Sequence, residues 1–314
     1  MQIITEAHKI STPIVATIGM FDGVHLGHQS LIEQVQAVAQ SRGMLSAVVT
    51  FASHPCAVLR PQVPVALLTH YDERMAHLAE TGIDYVIVLN FDKELSQYSA
   101  SQFIEMLHNN YNMQVLCVGY DHRFGHNRSE GFAEYRAHGE KIGVEVVEAK
   151  PFLLCDAAVS SSAIRKALRA CDIRQANLML GYNYTITGKV VEGRKLGRTI
   201  GFPTANIDVN SIAMLIPGGG VYAIRATLDD ASTHMGMMNI GYKPTVEGND
   251  ELSIEAHLFD FSGNLYGREI KVELVAFMRN EKRYDNIHAL EDALTLDAIK
   301  ARKILTESQG HKHE

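Results

Sequence analysis

The chain has 314 residues, of which 46% are hydrophobic and 21% charged, and its net charge is −7. That length suits two domains, each able to bury its own core. The negative balance excludes a general nucleic-acid or membrane-surface binder, which needs basic surface, but not a site where a few cations and backbone amides hold one triphosphate.

In the first half, strand-like and helix-like segments alternate. Ile14–Ile18, Ser46–Phe51, Tyr85–Leu89, Val115–Val118 and Val144–Val147 are short, β-branched and apolar, and read as buried strands. Between them, Leu31, Ile32, Val35, Val38 and Ala39 mark one helical face, and Asp72–Glu80, Ser101–Leu107 and Glu130–Lys141 read as further helices. This alternation predicts an α/β fold with a doubly wound parallel sheet, which binds ligands beyond the carboxyl ends of its strands. After a helix beginning near Ser161 the pattern changes. Thr185–Glu192, Val221–Leu228, Met235–Ile240, Ser253–Phe261 and Glu269–Phe277 read as strands of a small antiparallel barrel or sandwich, followed by a C-terminal helix over Ile287–Leu305. The boundary is expected near Leu180–Tyr184, giving domains over residues 1–181 and 182–310. MQIITEAHKI lacks the basic and apolar regions of a signal peptide, and runs such as Val86–Leu89 are too short to cross a bilayer. Cys56, Cys117, Cys155 and Cys171 form no C-x-x-C pair, and read as reduced thiols of a cytoplasmic protein.

GMFDGVHLGH, Gly19–His28, follows a strand and opens a helix. Gly23 and Gly27 allow backbone amides close to a phosphate, and the helix N-terminus adds partial positive charge. His25 and His28 are placed to stabilise charge on an α-phosphate and on departing pyrophosphate. No third ligand at ordinary spacing supports zinc. The segment resembles the G-x-F-D-G-x-H-x-G-H signature of bacterial FMN adenylyltransferases, within the nucleotidyltransferase superfamily. SSSAIR, Ser160–Arg165, resembles that family's S-S-x-x-I-R, which implies triphosphate binding by Ser161, Ser162 and Arg165. Gly19, Phe21, Gly23 and Gly27 are carried over to the same nucleotide site. TFASHP, Thr50–Pro55, resembles T-F-x-P-H-P, and GYDHRFG, Gly119–Gly125, resembles G-x-D-F-x-F-G with His122 where Phe is common. The resemblance implies that Phe51, His54, Asp121 and Phe124 border the flavin.

GKVVEGRKLGRTIGFPTANI contains Gly188, Gly193, Gly197 and Gly201, then Pro203-Thr204-Ala205-Asn206. It matches neither the P-loop nor the Rossmann fingerprint. It resembles the riboflavin kinase signature G-x-x-x-G-x-x-x-G-x-P-T-A-N. The resemblance implies a Gly-rich loop over ATP, assisted by Lys195 and Arg198, with Thr204 and Asn206 offering oxygens to Mg²⁺ and the phosphates. Glu255 faces away from Ile254, Ala256 and Leu258 on its strand. It matches the family's general base for the ribityl hydroxyl, which as an alcohol needs one. GVYAI, NIGYKPTV, IEAHLFDFSGNLYG and AFMRNEKRYD continue the likeness, and Arg279 is expected at the flavin or in an ion pair. The resemblance thus implies the bifunctional riboflavin kinase/FMN adenylyltransferase family, taking riboflavin, FMN and ATP with Mg²⁺, forming FAD, and needing neither nucleic acid nor membrane. Alternatives are a chain with one decayed site, a cytidylyltransferase, which leaves the second half unexplained, and a non-catalytic flavin-binding module. Oligomeric state is not legible.

Overall fold

The structure is a computed structural model. It describes residues 1–5, 10–63, 65–120, 122–126, 128–155, 157–193, 197, 200–212, 214–244 and 250–310. The chain divides into two compact units, Met1–Ser160 and Ser161–Glu314.

The first unit is built on six parallel strands in the order β1-β4-β3-β2-β5-β6: β1 Gln2–Ile4, β2 Ile14–Ile18, β3 Leu45–Phe51, β4 Tyr85–Leu89, β5 Met113–Gly119 and β6 Glu145–Ala149. Around them run α1 Leu26–Arg42, α2 Pro55–Leu59, α3 Tyr71–Glu80, α4 Ala100–Tyr111 and α5 Phe132–Ile142. Because side chains alternate along a strand, the strands inside β1 feed two cores. Ile14, Ala16 and Ile18 of β2 pack with Phe103, Ile104 and Leu107 of α4. Val15 packs on the opposite face with Ile32, Val35 and Ala39 of α1 and Leu78 of α3. The expected doubly wound sheet is therefore present. The order reverses beside β2: β3 and β4 lie to one side, β5 and β6 to the other. A crevice forms at such a point beyond the strand ends, and the loop from Gly19 to His25 leaves β2 there. β1, at the sheet edge against β4, is an element that the sequence reading did not anticipate. A two-stranded ribbon, β7 Leu153–Leu154 with β8 Ala157–Ala158, follows.

The second unit starts with α6 Ser161–Arg169 and α7 Ile173–Leu180. Both helices fall on the second unit's side of that division. Asn177 of α7 donates to Leu274 O at 2.9 Å, and its Oδ1 accepts from Tyr184 N at 2.8 Å, tying the helix to the strands that follow. Those strands, β9 Thr185–Val191, β10 Ala205–Ile207, β11 Gly220–Leu228, β12 Thr233–Pro244, β13 Asp250–Leu258 and β14 Glu269–Arg279, close into a barrel ordered β10-β13-β12-β11-β14-β9. β13 ends at Leu258, short of the expected Phe261, where Asp260 turns the chain at φ 57°. Ile186 and Val190 of β9, Tyr222 and Ile224 of β11, and Ile254 and Ala256 of β13 are buried. On the other face, Val221, Ala223, Met237 and Phe259 pack with Ala301 and Leu305 of α8, Ile287–Gly310, so the C-terminal helix lies on the barrel as expected. Truncating a fully buried leucine such as Leu305 to Ala costs about 2–5 kcal/mol.

Candidate functional site

Each unit carries a candidate site. In the first, the β2–α1 loop is held under backbone strain. Phe21 and Val24 lie at φ 52° and 34°, a region that non-glycine and especially β-branched residues rarely enter, and both are buried. Surrounding bonds over-determine this conformation. Asp22, itself buried, accepts from Leu68 N at 2.9 Å and from Thr69 N at 3.2 Å. Thr69 Oγ1 accepts from Gly23 N at 3.0 Å, and the buried Arg74 donates to Met20 O at 3.2 Å. Burial lowers the Arg74 pKa, an effect that the carboxylate of Asp22 opposes.

The loop delivers two histidines. His25 is the N-cap of α1, a place usually taken by Ser, Thr, Asp or Asn. Its Nδ1 accepts from His28 N at 3.3 Å, so in the neutral ring Nε2 carries the hydrogen. The two imidazoles stack with centroids 3.6 Å apart and planes at 16°. Gly27 makes room for this: a Cβ there would lie 3.2 Å from His25 Nδ1 and 3.0 Å from Val159 O. Phe21 supports the pair with its ring 4.9 Å from that of His28. Burial first, then the fields of His25 and His122, hold the pKa of His28 well below its usual value. A neutral imidazole donates one N–H and accepts at the other nitrogen, and His28 Nδ1 is sealed from solvent with no hydrogen-bond partner among the described residues.

Beside this loop is a cavity of about 310 Å³ lined by Gly19, Phe51, His54, His122 and Phe124 among others. Phe51 meets Phe91 edge-on at 5.3 Å, and Phe124 stacks on Tyr135 at 4.2 Å. Tyr135 Oη accepts from Phe124 N at 3.0 Å and fixes that loop. His54 caps α2, with Nδ1 accepting from Cys56 N at 3.2 Å. Three of the four expected flavin neighbours in this unit therefore share one cavity, and Asp121 lies outside the described residues. Ser161, Ser162 and Arg165 form the start of α6, in the second unit.

In the second unit, register assembles the site. β10 and β13 pair Asn206 opposite Glu255, and β12 and β13 pair Asn239 opposite the same Glu255. Thr204 Oγ1 donates to Glu255 Oε2 at 3.1 Å. These residues line a cavity of about 350 Å³ with Gly197 and Arg279. A second cavity, of about 520 Å³, opens between Pro203–Ala205 and Ser262–Tyr266, and Thr204 lines both. Thr204 and Asn206 supply the neutral oxygens that a hard cation such as Mg²⁺ takes beside phosphates, and Glu255 lies within reach of the same point. Among the described residues, no three His, Cys, Asp or Glu side chains cluster as a metal site.

The glycines have distinct roles. Gly193 leaves room for the Asn206 carboxamide, which a Cβ there would push aside. Gly188 lines neither cavity, and a Cβ there would collide with Ile207, so it serves barrel closure. Gly201 takes φ 78° at the turn before Phe202. Lys195 and Arg198 lie outside the described residues. Arg279 lines the cavity, yet its guanidinium binds Asp297 of α8, with Nη2 2.6 Å from Oδ2. An ion pair is thus present, made to a buried carboxylate where the sequence suggested a surface one. The ion pair raises the Arg279 pKa against the opposing effect of burial.

Residues 7–163 match the family model described as FAD synthetase, and residues 180–305 that described as riboflavin kinase. A bifunctional riboflavin kinase/FMN adenylyltransferase of Haemophilus influenzae is 36% identical over 306 residues, covering 96% of this chain and 98% of its own. The protein of that name from Escherichia coli (strain K12) is 35% identical over 308 residues, covering 96% and 97%. This chain belongs to the bifunctional riboflavin kinase/FMN adenylyltransferase family. A crystal structure described as a macrolide-efflux protein from Streptococcus pneumoniae shares the fold with TM-score 0.83 at 27% identity, covering 94% of this chain and 96% of that one. Among the described residues of this chain, no helix is long and apolar enough to cross a membrane.

Within this family member, several site residues carried no individual signal in the sequence. Asn239, Glu281, Lys282 and Tyr284 line the second unit's cavity. Asn239 Nδ2 donates to Glu281 Oε1 at 2.9 Å, and the Arg279 guanidinium lies 5.9 Å from the centre of the Tyr284 ring. All four fall in segments, NIGYKPTV and AFMRNEKRYD, whose family likeness was legible while their position was not. Arg74, which anchors the strained loop, belongs to no motif.

Proposed function

We propose that the second unit phosphorylates riboflavin to FMN and that the first transfers AMP from a second ATP to FMN, giving FAD and pyrophosphate. The observation that carries the kinase assignment is the meeting of Thr204, Asn206 and Glu255 at one cavity wall, with Thr204 also lining the neighbouring cavity. A kinase must hold two ligands with the γ-phosphate at their junction. The reading places riboflavin in the cavity of Glu255 and Arg279, ATP in the other, and the transferred phosphoryl group near Thr204.

In the first reaction Glu255 accepts the proton of the ribityl 5′-hydroxyl as its oxygen bonds to the γ-phosphorus. The bond from that phosphorus to the bridging oxygen breaks, and ADP leaves with the electron pair. Thr204 and Asn206 would hold Mg²⁺, which when bound neutralises charge on the phosphates. Gly193 keeps the Asn206 carboxamide in place, and Gly197 and Gly201 shape the loop beside it.

In the second reaction an oxygen of the FMN phosphate bonds to the α-phosphorus, and pyrophosphate leaves with the electrons of the broken bond. The nucleophile is already anionic near neutral pH, so positioning and charge stabilisation dominate. His25 and His28 contribute N–H groups from the start of α1, and Gly19, Gly23 and Gly27 let the phosphates approach. Phe21 acts by packing behind His28. Ser161, Ser162 and Arg165 are assigned triphosphate binding through hydroxyls, helix-start amides and one guanidinium. The aromatic cavity of Phe51 and Phe124 fits an isoalloxazine. The four cysteines are all free thiols, in keeping with a cytoplasmic enzyme.

The test is a time course. Purified protein with riboflavin, ATP and Mg²⁺ is expected to form FMN transiently and then FAD, resolved by chromatography. FMN without FAD, even from supplied FMN, overturns the assignment of the first unit. Unchanged riboflavin alongside conversion of added FMN overturns that of the second.

A further inference from the structure

The cavity of the first unit has an unusual charge balance. Its walls carry Phe51, Phe91, Phe103 and Phe124, yet His54, His122, Arg123, His126 and Arg128 also line it, and no Asp or Glu does among the described residues. An apolar ring fills such a space well, and an anionic end on the ligand would complement the two arginines and the imidazole N–H groups. Arg123, Arg128, His126 and His54 also anchor their own surroundings. Arg123 Nη1 donates to Glu130 O at 3.0 Å, and Arg128 Nε donates to Arg123 O at 3.0 Å. His126 Nδ1 lies 3.0 Å from Ser96 O, and His54 caps α2.

His122 differs in position. It follows β5, the strand beside β2 across the point where the sheet order reverses, so it stands at the crevice where the Gly19–His28 loop also begins. It is near enough for its field to lower the pKa of His28, and it also lines the flavin-side cavity. Its backbone N–H donates to Gly119 O at 3.0 Å. Its ring lies 6.0 Å from that of Phe124 with planes at 29°, and Phe124 is held in turn by Tyr135. The G-x-D-F-x-F-G motif that this segment resembles has Phe at that position, and Phe donates no hydrogen bond.

We propose that His122 is a ligand of the FMN 5′-phosphate, and that this contact lets the adenylyl-transfer site favour FMN over riboflavin. The proposal rests on the adenylyl-transfer reading above. A flavin seated with its rings among the phenylalanines would bring its phosphate toward His122 and His28, where the α-phosphate of ATP is expected. An imidazole N–H directed at a dianion makes a charge-assisted hydrogen bond. The neutral ribityl hydroxyl of riboflavin gains much less from the same group.

The experiment compares His122→Phe and His122→Gln with the parent in steady-state FAD formation from FMN and ATP. Inhibition by riboflavin is measured in a Glu255→Gln background, where riboflavin is not turned into FMN during the assay, and riboflavin phosphorylation by the preparations without that change reports that the protein is folded. For His122→Phe the KM for FMN is expected to rise roughly 10- to 100-fold, as for loss of a hydrogen bond to a charged group. The KM for ATP, kcat and the riboflavin inhibition constant should stay near the parent's. His122→Gln, which keeps a donor, should fall between. An unchanged KM for FMN overturns the proposal. So does a parallel rise in the FMN and riboflavin constants, which would mean that His122 only packs against the ring. Flavin-fluorescence titrations with FMN and with riboflavin read binding without turnover. If the parent formed no FAD, the adenylyl-transfer reading would fail, while a selective loss of FMN affinity in His122→Phe would still establish the phosphate contact.

Discussion

Replacing Glu255 by Gln isolates basicity from architecture. The two side chains have nearly the same shape, and Gln keeps an Oε1 that accepts from Thr204 Oγ1, 3.1 Å from the carboxylate oxygen. The backbone pairings of residue 255 with Asn206 and Asn239 do not depend on the side chain's charge. The variant should therefore fold, keep Thr204 and Asn206 in place, and bind riboflavin and ATP with little change in KM. What it loses is a group able to take the ribityl proton. Losing a general base lowers kcat by about 10²–10⁴, equivalent to about 2.7–5.4 kcal/mol of activation free energy. The assay is FMN formation from riboflavin under saturating ATP and Mg²⁺, with FAD formation from supplied FMN measured in the same preparation. The second activity should be unchanged. A drop in kinase kcat of less than about tenfold in the folded protein would refute the role of Glu255 as base. A comparable loss of FAD formation would refute the division of labour between the units.

Three further outcomes follow from the geometry. Gly193→Ala forces the Asn206 carboxamide out of the cavity wall, so FMN formation should fall by at least about tenfold while FAD formation from FMN persists; equal effects on both would remove Gly193 from the kinase site. Imidazole NMR should show His28 neutral well below pH 6.5, because burial and the neighbouring histidines oppose its proton. Since the unfolded chain takes up that proton at about pH 6.5 and the folded one does not, the contribution of His28 to stability declines as pH falls through that value. A titration midpoint near 6.5 would contradict the burial argument. Asp22→Ala strands the amides of Leu68 and Thr69 and should cost about 2–4 kcal/mol in the first unit, read as a lower Tm with loss of FAD formation; an unchanged Tm would show that water replaces the carboxylate.

Much of the fold could be read from local chemistry. The strand Ile14–Ile18 and the helical face of Ile32, Val35 and Ala39 are buried on schedule, because period and apolarity are properties of the segment itself. The elements that escaped notice are those whose apolar pattern is too short to register. β1 has three residues and exists through pairing with β4. β10, Ala205–Ile207, also has three, and its motif concealed that it closes the barrel and carries Asn206. α7 had readable signals in Asp172, which caps its start, and in Gly181, at φ 83° past its end.

By itself, the sequence determined the α/β unit, an antiparallel β unit, the C-terminal helix and the family that its motifs resemble, while the closure of the barrel came from the structure. Residue types at set spacings constrain local backbone, and glycine, histidine, threonine and glutamate announce what they can do to a phosphate. Only the tertiary structure decided which of them meet. Strand register brings Glu255 between Asn206 and Asn239, and α8 claims the Arg279 guanidinium through Asp297. Packing behind the Gly19–His28 loop makes Asp22 a buried anchor and holds the pKa of His28 down. Those outcomes depend on contacts between residues far apart in the chain, and on the loss of water around them, which no local pattern encodes.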